Sequence, residues 1–80
     1  MRQRKEFLVI TFSETAEAMA AEKLFLGRGI PGRIIPIPRQ LSAGCGLSWR
    51  TEMDQMEAAS AALLSEGIHY QEMSPVMLWV

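Results

Sequence analysis

The residue with the most distinctive chemistry in this sequence is its one cysteine, Cys45, which lies in the segment PRQLSAGCG. Gly44 and Gly46 flank the thiol, so neither neighbouring side chain obstructs it. Glycines also allow positive φ values, with which successive main-chain N–H groups can converge on an anion. Arg39 and Ser42 lie six and three residues earlier in the same segment. These residue types at this spacing predict a reactive thiol in a loop whose other residues stabilise negative charge on or near it.

Positive charge is concentrated around the cysteine, although the whole chain has a formal net charge of −1. Between Glu22 and Glu52 the sequence contains no acidic residue and five basic ones: Lys23, Arg28, Arg33, Arg39 and Arg50. Such a block favours a thiolate, an anionic ligand or an acidic partner. A solvated face of scattered arginines has the same pattern, so charge alone leaves these interpretations open.

The competing interpretation of Cys45 is structural, because free cysteines are commonly buried and inert. A triad-type hydrolase is disfavoured, since it needs a histidine base and His69 is the one histidine of the chain. A single cysteine forms neither a disulfide nor a metal framework alone, so we expect a reducing compartment and predict no metal and no cofactor. On these grounds we interpret the protein as cytoplasmic.

Hydrophobic patterning predicts the elements that must position this loop. In chain order they are a strand at 6–12, a helix after an N-cap at Ser13 that stops at Gly27 or Gly29, strands at 33–37 and 47–51, a helix from Glu52 to Gly67, and a strand at 68–72. The expected apolar face of the second helix comprises Met53, Met56, Ala59 and Leu63. Pro36 predicts that the second strand lies at an edge of the sheet, because proline donates no ladder hydrogen bond.

The order β-α-β-β-α-β is that of the split βαβ, or ferredoxin-like, sandwich. We therefore predict an α+β fold in which a four-stranded antiparallel sheet carries two helices on one face. Eighty residues form one domain, with a core at about 6–72 and an apolar tail at 73–80. A right-handed crossover makes the first two strands parallel. The cysteine loop should therefore lie close to the start of the first helix, at about 13–15.

The helix-free face of the sheet and the apolar tail are the expected interaction surfaces. A chain this short buries little surface, so we expect added strand pairing or a homodimer through the sheet face or the tail. No run of ~18 apolar residues occurs, so no membrane partner is predicted. RNA binding on the open face needs exposed aromatic residues there. Phe7 and Trp49 are predicted to lie in the core instead, so we predict no nucleic-acid partner.

Three stretches of the chain resemble the DUF3343 family of selenium/sulfur carrier-like proteins: FLVITFSETAEAMAAEKLF, RIIPIPRQLSAGCGLSWR and EGIHY. Members of that family are short bacterial and archaeal domains. They carry a strand ending in Phe, a helix containing AEK, a Pro-x-Pro-Arg turn and a Ser-x-x-Cys-Gly segment. The resemblance extends from Phe7 to Tyr70, and its most specific part runs from Pro36 to Gly46. Trp49 and the tail MSPVMLWV depart from the family pattern, but neither lies in the cysteine motif.

The resemblance implies that Cys45 is the family's motif cysteine and that Arg39, Ser42 and Gly46 occupy its flanking positions. It also implies a carrier that holds sulfur or selenium on Cys45 as a persulfide or selenopersulfide, with donor and acceptor proteins as partners. An alternative remains open from the residues themselves. In it, the protein is a non-catalytic ferredoxin-like regulatory or interaction module that binds a small anion at the 38–46 loop, and Cys45 serves only for packing.

Overall fold

A computed structural model describes residues 2–42 and 44–80 of the 80-residue chain. Its elements are β1 (Arg4–Thr11), α1 (Thr15–Gly27), β2 (Arg33–Pro36), β3 (Leu47–Glu52), a 3₁₀ turn (Met53–Gln55), α2 (Met56–Glu66) and β4 (Glu72–Trp79). The strands of this part of the chain form one antiparallel sheet in the order β2-β3-β1-β4. This is the predicted α+β ferredoxin-like arrangement, so the fold prediction is confirmed.

The core lies between one face of the sheet and the two helices. Ile10 of β1 and Trp49 of β3 are opposite each other in the register. The ring of Trp49 packs against that of Phe25 in α1, with centroids 5.0 Å apart. Small residues of both helices complete this cluster: Ala18, Ala21, Ala59 and Ala62. Both helices therefore cover the face to which Ile10 and Trp49 point.

The central strand β1 is buried on both of its faces, from Phe7 to Thr11. Successive side chains of a strand point to opposite faces, so Val9 and Thr11 point away from the helices. Both are nevertheless fully buried, as is Ser48, which is opposite Thr11 in the register. Another part of the chain must therefore cover the helix-free face.

The segment that follows β2 provides this cover. β2 and β4 are the two edge strands of the sheet. Gln40, which follows β2, nevertheless donates a hydrogen bond from Nε2 to the main-chain oxygen of Met77 in β4, at 3.3 Å. Pro38, two residues before Gln40, is buried. Because the helices occupy the other face, the segment crosses the helix-free face from one edge towards the other. The sequence predicts this segment as a loop but not the path that it takes.

The fourth strand is Glu72–Trp79, so the prediction of a strand at 68–72 is wrong. Ile68 instead closes α2, because its N–H donates to a carbonyl of the last helical turn at 3.0 Å. Gly67 just before it has a φ of 65° and ends the helix, as predicted. His69 consequently lies, exposed, in the connection to β4 and not on a strand. The segment predicted as an apolar tail pairs with β1 as the edge strand of the sheet.

Pro75 does not interrupt β4, because it occupies a position that needs no ladder hydrogen bond. The N–H of Val80 donates to the oxygen of Gln3 at 2.9 Å, which sets the alternation of bonded and non-bonded pairs. Pro75, opposite Leu8, falls on a non-bonded pair, so its nitrogen points to the free edge. Its neighbour Val76 is only 5% exposed. The strand is thus an integral part of the sheet.

Two local predictions about the helices need correction. The N-cap of α1 is Glu14 and not Ser13, because Glu14 keeps extended dihedral angles, with φ −133° and ψ 146°. In α2 the buried residues are Ala59, Ala62 and Leu63, whereas Met56 is 39% exposed. The predicted apolar face therefore holds for Ala59 and Leu63 but not for Met56, and Met53 lies in the 3₁₀ turn that precedes the helix.

Candidate functional site

Cys45 lies at the junction between β1 and α1, as the topology predicts. Its Sγ is 3.3 Å from the main-chain oxygen of Phe12, the residue that follows β1. The Phe12 side chain is fully buried, so packing holds this oxygen in place. Cys45 itself is half-buried and packs against the edge of the core. The thiol therefore sits at the end of the sheet from which α1 starts.

Three main-chain atoms of residues 2–42 and 44–80 lie within hydrogen-bonding distance of the thiol. The S–H group can donate to the oxygen of Phe12 at 3.3 Å or to that of Leu47 at 3.5 Å. In the other direction, the N–H of Leu47 donates to Sγ at 3.4 Å. A thiolate has no proton to donate, so of these three contacts it keeps the bond from Leu47 N–H. Ionisation or modification of Cys45 therefore releases the sulfur from both carbonyl groups.

The two glycines beside Cys45 have different structural roles. A Cβ on Gly44 would lie 2.8 Å from the main-chain oxygen of Ser13, so a side chain there would push the loop away. Gly46 has open space around it but a φ of 74°, a left-handed conformation that favours glycine. Its carbonyl accepts from the N–H of Ile37 at 3.0 Å, which closes the β2–β3 hairpin. Gly44 and Gly46 together hold Cys45 against the start of α1.

Arg39 and Ser42, the other predicted site residues, are exposed. Arg39 lines an open groove of about 520 Å³, whose other lining residues are Arg4, Pro38, Gln40, Met77, Leu78 and Trp79. Within residues 2–42 and 44–80, the hydrogen-bond partners of the thiol are main-chain atoms, so neither side chain bonds it. Their action on a charged sulfur stays a prediction, as does that of the main-chain groups of Gly44 and Gly46.

The positive block of the sequence is spread over the surface and does not converge on the thiol. Arg28 forms a salt bridge with the end of α2 at 3.3 Å. Arg50 lies over the ring of Phe7, 4.5 Å from its centroid. Arg39 faces the groove beside β4. The immediate surroundings of the sulfur are therefore main-chain dipoles rather than guanidinium groups.

The described part of the chain lacks the features of three other kinds of site. It holds no group of three or more His, Cys, Asp or Glu side chains that could hold a metal ion. None of its helices is long and apolar enough to cross a bilayer. Phe7 and Trp49, which would have to be exposed to stack on bases, are 3% and 0% exposed. The prediction that these two aromatic residues lie in the core is confirmed.

The contacts that Phe12 and Leu47 make with the thiol were not predicted from the sequence. They involve main-chain atoms, which every residue has, so the residue type does not indicate them. The available signal was topological: the parallel arrangement of β1 and β2 predicts that the loop and the β1–α1 junction meet. Gly44 offered a second signal, since glycine is common where two stretches of main chain approach closely.

A family model described as "Putative Se/S carrier protein-like" matches residues 7–75. The chain belongs to this family. The match includes both parts of the site, since it covers the β1–α1 junction and the cysteine loop. It ends within β4, so Met77 and Trp79 of this Se/S carrier-like protein lie outside it. No curated protein and no solved structure matches the chain.

Proposed function

We propose that this Se/S carrier-like protein holds a sulfur or selenium atom on Cys45, as a persulfide or selenopersulfide, and passes it to an acceptor protein. The family match supports a carrier in general terms. Cys45 is the one cysteine of the chain, so a persulfide has one position at which it can form. A donor protein and an acceptor protein are the expected partners.

The observation that carries the proposal is the position of the sulfur atom in the structure. Sγ is half-buried and hydrogen-bonded to the main chain, while Gly44 and Gly46 on either side are exposed and have no side chains. Exchange between sulfur atoms depends on access to the atom that is attacked. A partner's cysteine can approach over the glycines, and the surrounding main chain holds Sγ in one place while it does so.

Loading is an exchange in which one sulfur–sulfur bond forms and one breaks. The Cys45 thiol gives its proton to water, and the resulting thiolate attacks the outer sulfur of a persulfide on the donor. A bond forms between Sγ and that sulfur, and the bond to the donor's cysteine breaks, so the donor leaves as a thiolate. The transferred sulfur keeps its proton and its oxidation state. The step therefore needs no separate oxidant or reductant, and delivery to an acceptor thiolate is the same exchange in the other direction.

The contacts of Cys45 change in a definite way during loading. The two carbonyl groups lose their donor when the proton leaves, whereas the N–H of Leu47 continues to donate to Sγ. Arg39, Ser42 and the main-chain N–H groups of the loop then stabilise the outer atom. Because Arg39 faces the groove beside β4 in this structure, its contribution requires the 38–46 loop to rearrange when the atom arrives.

Intact-mass spectrometry after incubation with a small-molecule persulfide tests the proposal. We expect the wild type to gain the mass of one sulfur atom and to lose it as thiocyanate when cyanide is added. Cys45→Ser should gain nothing. A matched control combines Cys45→Ser with Ser42→Cys, which moves the thiol to an exposed position in the same loop.

The lifetime of the persulfide separates a carrier site from an ordinary thiol. We expect the persulfide on Cys45 to survive added glutathione longer than the one on the relocated thiol, because the half-buried position of Cys45 limits the approach of glutathione to the persulfide. A wild type that gains no sulfur contradicts the proposal and favours the interaction module with a packing cysteine. Equal lifetimes at the two positions contradict it as well, since the loop would then add nothing to the chemistry of a free thiol.

A further inference from the structure

A cleft on the helix-free face of the sheet is lined by two arginines on neighbouring strands. Arg33 of β2 and Arg50 of β3 are directly opposite in the antiparallel register, so their side chains leave the sheet on the same side. Side chains in such a pair start only about 4.5–5.5 Å apart at Cβ. The cleft has a volume of about 350 Å³, and its other lining residues are Pro31, Gly32, Thr51 and Glu52.

Neither arginine is neutralised by a carboxylate of the described residues. The salt bridges in that part of the chain join Lys5 to Glu52, at 2.6 Å, and Arg28 to the end of α2. Glu52, the acidic residue of the cleft, is thus already paired with Lys5. At this end of the sheet the positive charges of Lys5, Arg33 and Arg50 outnumber the negative charge of Glu52, which leaves an excess of two positive charges.

The guanidinium group of Arg50 is held against the sheet rather than free in solvent. Its guanidinium carbon lies 4.5 Å from the centroid of the Phe7 ring, over the same face. Burial, followed by the charge of Arg33, lowers the pKa of Arg50 from its ordinary value, and Glu52 opposes this change. Like charges directly opposite on neighbouring strands destabilise a sheet. An anion bound between them would relieve that repulsion.

We propose that the Arg33–Arg50 cleft binds a doubly charged tetrahedral oxyanion of the phosphate class. Each guanidinium presents parallel N–H donors that match two oxygens of such a group. Its two negative charges equal the excess of positive charge at this end of the sheet. The site is separate from the thiol, since Arg50 lies three residues beyond Leu47 along β3, about 10 Å away. The proposal therefore stands independently of the carrier chemistry of Cys45.

A titration with inorganic phosphate tests the site. NMR spectra report the arginine Nε–H groups and the backbone amides, and a titration with chloride at equal ionic strength is the reference. We expect saturable shifts at Arg33 and Arg50. Arg33→Gln should weaken binding by about tenfold or more, because it removes hydrogen bonds from a charged donor. The matched control is Arg39→Gln, an exposed arginine outside the cleft, which should leave the affinity unchanged. Shifts that do not saturate overturn the proposal. So does a loss of binding in Arg39→Gln but not in Arg33→Gln, which would place the anion at the cysteine loop.

Thermal unfolding provides a second and independent measurement. In chloride, Arg33→Gln should raise the unfolding midpoint above that of the wild type, because it removes the repulsion between opposed arginines. Phosphate should then raise the midpoint of the wild type more than that of the variant, since only the wild type retains the complete site. Phosphate stabilises most proteins to some extent, so the difference between the two proteins is the quantity that decides. Equal shifts in both proteins overturn the proposal.

Discussion

The Sγ of Cys45 lies 3.3 Å from the main-chain oxygen of Phe12, a residue 33 positions away in the sequence. This contact joins the loop after β2 to the point at which β1 ends and α1 is about to begin. It exists only while the thiol carries its proton, because a thiolate cannot donate. The contact therefore belongs to the protonated thiol, and ionisation of Cys45 removes it.

The contact with Phe12 should be measurable as stability. We expect Cys45→Ala to lower the free energy of unfolding by about 0.5–1.5 kcal/mol, because the carbonyl of Phe12 loses its donor. Cys45→Ser should cost less, since its hydroxyl can donate to the same oxygen. Denaturant unfolding of the three proteins measures the difference. Equal stability of the alanine and serine variants would show that the thiol does not bond Phe12 in solution.

The close approach of Gly44 to Ser13 should make the loop sensitive to a single methyl group. We expect Gly44→Ala to cost about 1–3 kcal/mol, because its Cβ would meet a main-chain oxygen at 2.8 Å. The amide resonance of Phe12 should also shift as Cys45 moves away. The matched control is Gly27→Ala at the end of α1, where a Cβ meets nothing within 4 Å. If both alanine variants are equally stable, the loop does not pack against the start of α1 as described.

The indole of Trp49 is fully buried, and its Nε1 has no hydrogen-bond partner among the described residues. A buried donor without a partner is destabilising. We therefore expect Trp49→Phe to cost less than about 1.5 kcal/mol, because it removes that donor and keeps a ring against Phe25. Trp49→Ala should cost about 3–5 kcal/mol, since it leaves a cavity in the core. A phenylalanine variant as unstable as the alanine variant would indicate that Nε1 bonds a buried water.

β4 should be essential for folding, because all eight of its residues pair with β1. Removal of residues 76–80 deletes Val76, which is opposite Phe7, and exposes that ring to water. We expect the shortened protein to lose its cooperative unfolding transition. Removal of Val80 alone is the control, since that residue lies outside the strand and should change the midpoint little. A cooperative transition after the longer deletion would show that this segment is dispensable, as a tail would be.

Much of the fold was predictable because local patterns decide it. Three features depend only on residues close to them in the sequence. They are the buried run of β1, the helical spacing that buries Ala18 and Ala21, and the end of α2 at Gly67. Their order along the chain is sufficient for the ferredoxin-like topology, since the handedness of a crossover connection is nearly invariant. The same reasoning placed the cysteine loop near the start of α1.

The position of the fourth strand needed the tertiary structure. The alternation in residues 68–72 is typical of a strand, and Pro75 argues against one further along. Ile68 is used instead to close α2, and Pro75 falls on a non-bonded pair, where its missing N–H costs nothing. The position of Pro75 depends on the register between β4 and β1, which pairs residues 61 to 75 positions apart in the sequence. The local sequence does not indicate that register.

By itself, the sequence determined which side chain has distinctive chemistry, its glycine-flanked loop, and the end of the sheet at which that loop lies. Only the tertiary structure decided what touches the sulfur, that the loop crosses the helix-free face to Met77, and that Arg33 lies opposite Arg50 in the register. The physical reason is the same in each case. Hydrophobic periodicity and turn propensity act over a few residues and depend on residue type. Contacts between main-chain groups, and between side chains on neighbouring strands, depend on register and loop path, which the packing of the whole chain sets.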